Sequence, residues 1–245
     1  MNSFFNKIYV VSLEGSDRRK SIDELMNKHN MSFEYIDAVN GYNMFKSQDE
    51  HIDWYVKNFH DQRLVNGWIP SHGQIGCWLS HVKIWKKMVD EDIESALILE
   101  DDVTFRDDIN EEFSRRVKNV PSDWNALAVG YNCGGVAKTI NEDICQLVNF
   151  SGTYGYALKK SCAQILLDLY FPMQAAVDGF LGCILWANVE GNIYKQLFVD
   201  NLNGSREARN PKFDLKKLKL INSYAFRPPI IPPDLSNTGE VSKTI

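Results

Sequence analysis

The sequence predicts an α/β fold: a mixed central sheet with helices on both faces. Three observations carry that prediction. Short β-branched apolar runs at residues 8–13 and 96–99 have the pattern of strands covered on both sides. Stretches with helical periodicity lie between such runs. The two patterns alternate along most of the chain, as crossover connections to a parallel or mixed sheet require.

Residues 8–13 read as the first strand, a run cut off by Glu14 and too short for a secretory signal. Ser16 can then cap a helix in which Ile22, Leu25 and Met26 share a face. Asp17, Asp23 and Glu24 place negative charge in its early turns, where the helix dipole favours it. Residues 33–39 read as a second strand, closing a β-α-β unit at the Asn40-Gly41 turn signal. Residues 42–70 are polar and aromatic without a clear period, and are expected to form a long excursion with one helix near 53–59. Periodicity returns over 73–89, with Ile75, Leu79, Val82, Lys86 and Val89 on one stripe and Trp78 and Trp85 beside it.

A third strand at 96–99 ends in Glu100-Asp101-Asp102 and is followed by a charged helix at 111–117. Later strands are expected at 126–129, 145–150, 154–158 and 193–199, and helices at 161–169 and 178–188. Residues 1–210 therefore read as one domain. Residues 211–245, rich in Lys, Pro, Ser and Asn, read as an extension that wraps the surface or lacks order.

Composition narrows the function. The 245 residues are 44% hydrophobic and 24% charged, an ordinary globular balance with room for a sizeable core. A formal charge of -5 opposes an extended nucleic-acid surface, which needs clustered Lys and Arg. No stretch is long and apolar enough to span a bilayer. The expectation is a soluble, cytoplasmic protein, peripheral to a membrane only through its acceptor. Five scattered cysteines without a Cys-x-x-Cys pair read as small buried apolar residues.

Ligands of open α/β sheets collect beyond the carboxyl ends of strands, where the acidic triplet stands. Three adjacent carboxylates repel one another, and a divalent cation resolves the conflict. An exposed acidic turn capping the next helix is the alternative. The preceding Ala-Leu-Ile-Leu run favours the cation, because it ties the triplet to a rigid strand. Strand alternation sends Glu100 and Asp102 to one side and Asp101 to the other. Asp102 is the first expected metal ligand and Asp101 the second, with Glu100 orienting them or holding a ribose. All-oxygen ligation suits Mn²⁺ or Mg²⁺, ions that bridge to substrate phosphates. The sequence has neither a Walker-type phosphate loop nor a Gly-x-Gly-x-x-Gly after the first strand, which leaves a sugar nucleotide as the diphosphate-bearing substrate.

Six blocks then stand out in order. They are Ile8-Tyr-Val-Val-Ser-Leu13 with Asp17-Arg18-Arg19, Tyr35-Ile-Asp-Ala-Val-Asn-Gly41, and Gly73-Gln-Ile-Gly-Cys-Trp-Leu-Ser-His81; then Leu97-Ile-Leu-Glu-Asp-Asp102, Gly152-Thr-Tyr-Gly-Tyr156 and Ala176-Val-Asp-Gly-Phe180. Together they resemble glycosyltransferase family 25, over most of residues 6–205. The resemblance implies a GT-A-like nucleotide-sugar-binding fold and an inverting hexosyltransferase. Its donor would be UDP-galactose or UDP-glucose, its cofactor Mn²⁺ or Mg²⁺, and its acceptor a hydroxyl of a glycan, a glycolipid or the hydroxylysine of a collagen-like protein. Lipopolysaccharide biosynthesis is one setting. The chain departs from the family where Asp178 is followed by Gly-Phe-Leu, since relatives often carry another acidic residue or a histidine there.

By that resemblance the acidic triplet takes the place of the family's metal motif. Ser12, Leu13, Asp17 and Arg18 would receive the base and ribose, with a solvated helix position as the alternative for Arg18. Gly76 would let backbone approach closely, and Ser80 and His81 would touch the donor; a satisfied core histidine is the alternative for His81. Asp178 is the expected general base, with helix N-capping as its other reading. Asn203, Ser205 and Arg206 would close over the diphosphate, against simple loop-surface polarity. Two rivals remain: a non-catalytic sugar-nucleotide or glycan-binding module, and a sugar nucleotidyltransferase.

Overall fold

The computed structural model describes residues 1–58, 69–133, 135–148, 150–171, 173, 175–190 and 214–231. Strands β1 (Lys7–Ser12) and β2 (Glu34–Asp37) run parallel and are joined by α1 (Arg18–Lys28). The chain continues through α2 (Gly41–Met44), α3 (Gln48–Asn58) and α4 (His72–Asp90) to β3 (Ser95–Glu100), which lies parallel on the other side of β1. Then come α5 (Ile109–Arg116), β4 (Ala126–Cys133), β5 (Val136–Thr139), β6 (Ile144–Leu147) and β7 (Phe150–Lys159). Helices α6 (Lys160–Leu169) and α7 (Val177–Leu185) precede β8 (Ser223–Phe226). Among the described residues the sheet has eight strands in the order β2-β1-β3-β7-β4-β8-β6-β5. It is mixed, because β7 runs antiparallel to both β3 and β4.

The uninterrupted apolar strands follow from this two-sided cover. Side chains alternate across a strand, so Tyr9, Val11, Ala96 and Ile98 join one core while Ile8, Val10, Leu97 and Leu99 join the other. Trp78 and Trp85 of α4, Leu166 of α6 and Phe180 of α7 fill the first core. Ile22 and Met26 of α1 and Ile109 and Phe113 of α5 fill the second. Each large apolar side chain removed from water on either face contributes about 1.5–3 kcal/mol.

Local chemistry sets the element ends. Helices α1 and α4 both stop at a left-handed residue, Asn30 at φ 52° and Asp92 at φ 57°. Each closes a Schellman motif, with Met31 N donating to Met26 O at 2.9 Å and Ile93 N to Met88 O at 2.9 Å. At the other end of α4, Ser71 and Gln74 form a reciprocal capping box. Ser16 does not cap α1 as expected: Asp17 occupies the N-cap position, and the Ser16 hydroxyl accepts from Arg18 N at 3.3 Å.

Three expectations are revised. The buried face of α4 runs through Ile75, Trp78, His81, Trp85 and Met88, with Lys86 exposed. A helix with apolar residues around most of its girth does not declare by period alone which face meets the sheet. Among the described residues the excursion holds α2 as well as the helix expected near 53–59, which is α3 and begins earlier, at Gln48. And residues 211–245 are more than an extension, because β8 lies inside the sheet, parallel to β4 and antiparallel to β6. Its Ser-Tyr-Ala-Phe sequence is too short to stand out beside the polar stretch that precedes it. The strand expected at 193–199 lies outside the described residues.

Candidate active site

Helix α1, which follows β1, packs on one face of the sheet, and α4, which precedes β3, packs on the other. The carboxyl ends of β1 and β3 are where open α/β sheets take ligands, in the crevice expected beyond the strand ends. Ser12 ends β1 and Glu100 ends β3. The triplet splits across the crevice as strand alternation requires.

Asp101 faces α1. Its Oδ2 accepts from Ser12 Oγ at 2.7 Å, and its Oδ1 accepts from Arg18 Nη1 at 3.0 Å. The Asp101 side chain is 6% exposed and that of Arg18 36%, so the pair reaches from the core to the crevice rim. Arg19 ties the neighbouring strand ends, donating to Ser12 O at 2.9 Å, pairing with Asp37 and lying over the Tyr35 ring at 4.5 Å.

Glu100 faces α4. It accepts from Thr153 Oγ1 of β7, and its Oε1 lies 3.4 Å from Nε2 of the wholly buried His81. His81 Nδ1 is in turn 2.7 Å from Tyr156 Oη, which also accepts from Trp85 Nε1 at 3.0 Å. Burial works against ionisation of Glu100, but His81, Thr153 and Arg18 outweigh it and hold the carboxyl below its ordinary range.

Asp102 is the exception among the three. Its Oδ1 is buried without a hydrogen-bond partner. Burial, with Glu100 and Asp101 adding repulsion that Arg18 only partly offsets, pushes its pKa up to about 6. A buried oxygen without a donor, on a carboxyl disfavoured as an anion, fits a divalent cation. Asp101 fits less directly, since each of its oxygens already holds a donor and only its remaining lone pairs are open.

Asp178 joins the same site from α7. Its Oδ2 accepts from Gly152 N at 3.2 Å and its Oδ1 from Gly179 N at 2.8 Å, and it caps no helix through its side chain. Gly182 lets α7 approach this closely, because a Cβ there would stand 2.7 Å from Phe150 O. Gly152 precedes Thr153, the partner of Glu100, so β7 links the base candidate to the triplet. The Cys77 thiol lies among them: burial, then Glu100, Asp178 and Asp102, drives its pKa well upward.

Other expected donor contacts have different roles. Ser80 is buried, accepting from Val39 N at 2.8 Å and donating to Gly76 O at 2.7 Å, so its hydroxyl proton is spent within the protein. Gly76 is a packing glycine, since a Cβ would meet Val39 O at 2.4 Å. Both clamp the loop after β2 onto α4. Leu13 is half-buried and Asp17 exposed, both at the crevice side of β1. Asn203, Ser205 and Arg206 lie outside the described residues. Thr153, Tyr156 and Cys77 were not expected in the site; they lie within the quoted blocks, but only the fold gives them partners.

The family model described as glycosyltransferase family 25 (LPS biosynthesis protein) matches residues 5–138, more than half of the chain. The chain belongs to glycosyltransferase family 25. The matched stretch holds β1, α4 and the acidic triplet, whereas β7 and Asp178 lie beyond it. Among family 25 relatives, procollagen galactosyltransferase 2 of Mus musculus is 26% identical over 188 residues, covering 72% of this chain and 30% of that protein. A glycosyltransferase of Acanthamoeba polyphaga mimivirus is 25% identical over 177 residues, covering 66% of this chain and 52% of its own. The inactive glycosyltransferase 25 family member 3 of Homo sapiens is 27% identical over 172 residues, covering 66% and 29%. The chain thus spans about a third to a half of the length of these relatives. No helix among the described residues is long and apolar enough to cross a membrane.

Proposed function

We propose that this family 25 chain is a divalent-metal-dependent, inverting hexosyltransferase that moves galactose or glucose from its UDP-sugar to an acceptor hydroxyl. The observation that carries the reading is Asp102, a half-buried carboxyl with one buried, orphaned oxygen beside two further carboxylates at the carboxyl end of β3. Family membership and the name of the mouse relative support hexose, and galactose first. The same name makes a collagen-like hydroxyl the first acceptor to try, with glycan and glycolipid hydroxyls next.

Asp102 would hold Mn²⁺ or Mg²⁺, with Asp101 behind it. Bound there, the ion supplies positive charge against the donor diphosphate and the charge that grows on it as it leaves. The residues do the rest. Ser12 and Arg18 fix Asp101, and Arg18 faces the crevice with donors suited to phosphate or ribose oxygens. Glu100, held by Thr153 and lying beside His81, forms the floor of the site. Asp178 is oriented by two backbone N–H groups and keeps lone pairs free to accept a proton. In a single displacement the acceptor oxygen bonds to the anomeric carbon and its proton passes to Asp178. The bond to phosphate breaks, and the nucleotide diphosphate leaves with the electron pair; configuration inverts.

Incubation with each UDP-sugar, Mn²⁺ and a panel of hydroxyl acceptors should release UDP, and chelator should abolish release. Loss of an outer-shell partner of a metal typically costs 10–100-fold, so Asp102→Asn should lower turnover by at least about 100-fold. Chelator-insensitive release would overturn the metal's role. The inactive human relative favours a second reading, a module that binds donor without turnover. UDP-sugar binding by calorimetry without UDP release would establish it, and pyrophosphate release would point to a nucleotidyltransferase.

A further inference from the structure

One cluster beside the crevice has ligand chemistry unlike that of the acidic triplet. Cys77 and His81 are four residues apart on α4 and therefore project from one side of the helix, towards Glu100 at the end of β3. A thiol sulfur, an imidazole nitrogen and a carboxylate oxygen from these three lie within 4.8 Å of one another. His81 Nε2 to Glu100 Oε1, at 3.4 Å, already matches the roughly 3.3–3.8 Å between ligand atoms of a tetrahedral site with zinc-type bond lengths.

The histidine carries the second, independent observation. His81 is 0% exposed, and its Nε2 has no well-formed hydrogen bond, although it points at the cluster. Its other nitrogen, Nδ1, is engaged by Tyr156 Oη at 2.7 Å, and Tyr156 is itself anchored by Trp85. A metal-bound histidine has this outer-shell bond as a rule, because it fixes the ring and selects the tautomer with a bare ligand nitrogen. The Tyr156 hydroxyl can accept from Nδ1–H, so Nε2 is free to bind.

The geometry points to a cation site at Cys77, His81 and Glu100, distinct from the oxygen site at Asp102 and suited to a thiophilic dication of the Zn²⁺ class. Thiolate and imidazole prefer such an ion, whereas Mg²⁺ and Mn²⁺ prefer all-oxygen sets. Binding breaks the Cys77 S–H bond and releases its proton to solvent as the metal–thiolate bond forms. Three protein ligands leave a fourth position for a water or another ligand. The inference does not rest on transfer activity.

Co²⁺ reports on the site, because thiolate ligation adds a sulfur-to-cobalt charge-transfer band that oxygen ligands lack. The full chain, titrated with Co²⁺ under excess Mg²⁺, should develop that band to one equivalent and lose it on adding Zn²⁺. Cys77→Ser should abolish the band and Asp102→Asn should keep it. No band in the unaltered chain, a band that survives Cys77→Ser, or loss of the band in Asp102→Asn would each overturn a separate site. The unaltered chain gives a further check: Zn²⁺, but not Mg²⁺, should slow iodoacetamide alkylation of Cys77 at least tenfold, read by peptide mass. Equal alkylation with and without Zn²⁺ refutes the site. Neither readout depends on UDP release, so the transferase assignment and this site can fail separately.

Discussion

At the scale of single residues, the three consecutive carboxylates have three different states. Asp101 is paired with Arg18 and accepts from Ser12, Glu100 is held below its usual range by its partners, and Asp102 is pushed up to about 6. Asp102 therefore makes the metal-free chain sensitive to pH. Unfolded, the group titrates near about 3.9, and folded it holds its proton more tightly. Its stabilising contribution is complete below about pH 4 and is lost as pH rises through about 6, a span of roughly 2–3 kcal/mol. The metal-free wild-type chain should lose thermal stability between pH 5 and 7 relative to Asp102→Asn, which removes this dependence. Mn²⁺ competes with the proton for the same oxygen, so it should raise Tm more at pH 7 than at pH 5. A Tm difference between the two proteins that does not change with pH would remove Asp102 from the site's electrostatics.

At the scale of elements, glycines decide how closely helices bring side chains to the crevice. Gly182 seats α7 on β7, where Asp178 reaches Gly152 N. In Gly182→Ala the new Cβ meets backbone rather than a side chain that can swing aside, so α7 must move. A cost of about 1–3 kcal/mol is expected from this overpacking, together with a fall in UDP release beyond what the loss of folded protein explains. Gly179→Ala is the control. Among the described residues its Cβ meets only the Ala175 Cβ, at 3.3 Å, and helix propensity favours alanine by up to about 1 kcal/mol. Thermal melts and UDP release, both measured well below Tm, separate the two variants. Equal activity in them would mean that the distance from α7 to β7 does not position Asp178.

At the scale of the whole molecule, β8 makes the far end of the chain part of the core. It lies between β4 and β6, and Phe226 O accepts from Tyr131 Oη at 2.7 Å. The wholly buried Arg116 lies 5.3 Å from the Phe226 ring and donates to Pro228 O at 2.8 Å. A chain ended at residue 210 would leave β4 and β6 without this partner and Arg116 without two of its neighbours. It should lose its near-ultraviolet circular dichroism and become sensitive to protease. A truncated chain that kept both native signals would show that the region from β8 onward is dispensable.

What the amino-acid order determined was local. Two-sided apolar runs require strands covered on both faces, so the α/β class and the bounds of β1, α4 and β3 were legible to within a residue or two, whereas α2 and the start of α3 were not. The triplet's place at a strand end was legible for the same reason: covalent neighbours share a strand. Tertiary structure alone decided how the three carboxylates differ, because Asp101 meets Ser12 and Arg18 across 89 and 83 residues of chain. It also decided that Ser80 and Gly76 serve packing, that Cys77 and His81 meet Glu100, and that a four-residue strand near the C-terminus belongs inside the sheet. These outcomes depend on strand register, crossover direction and helix rotation, which are set by the summed packing of distant segments and leave no local pattern to read.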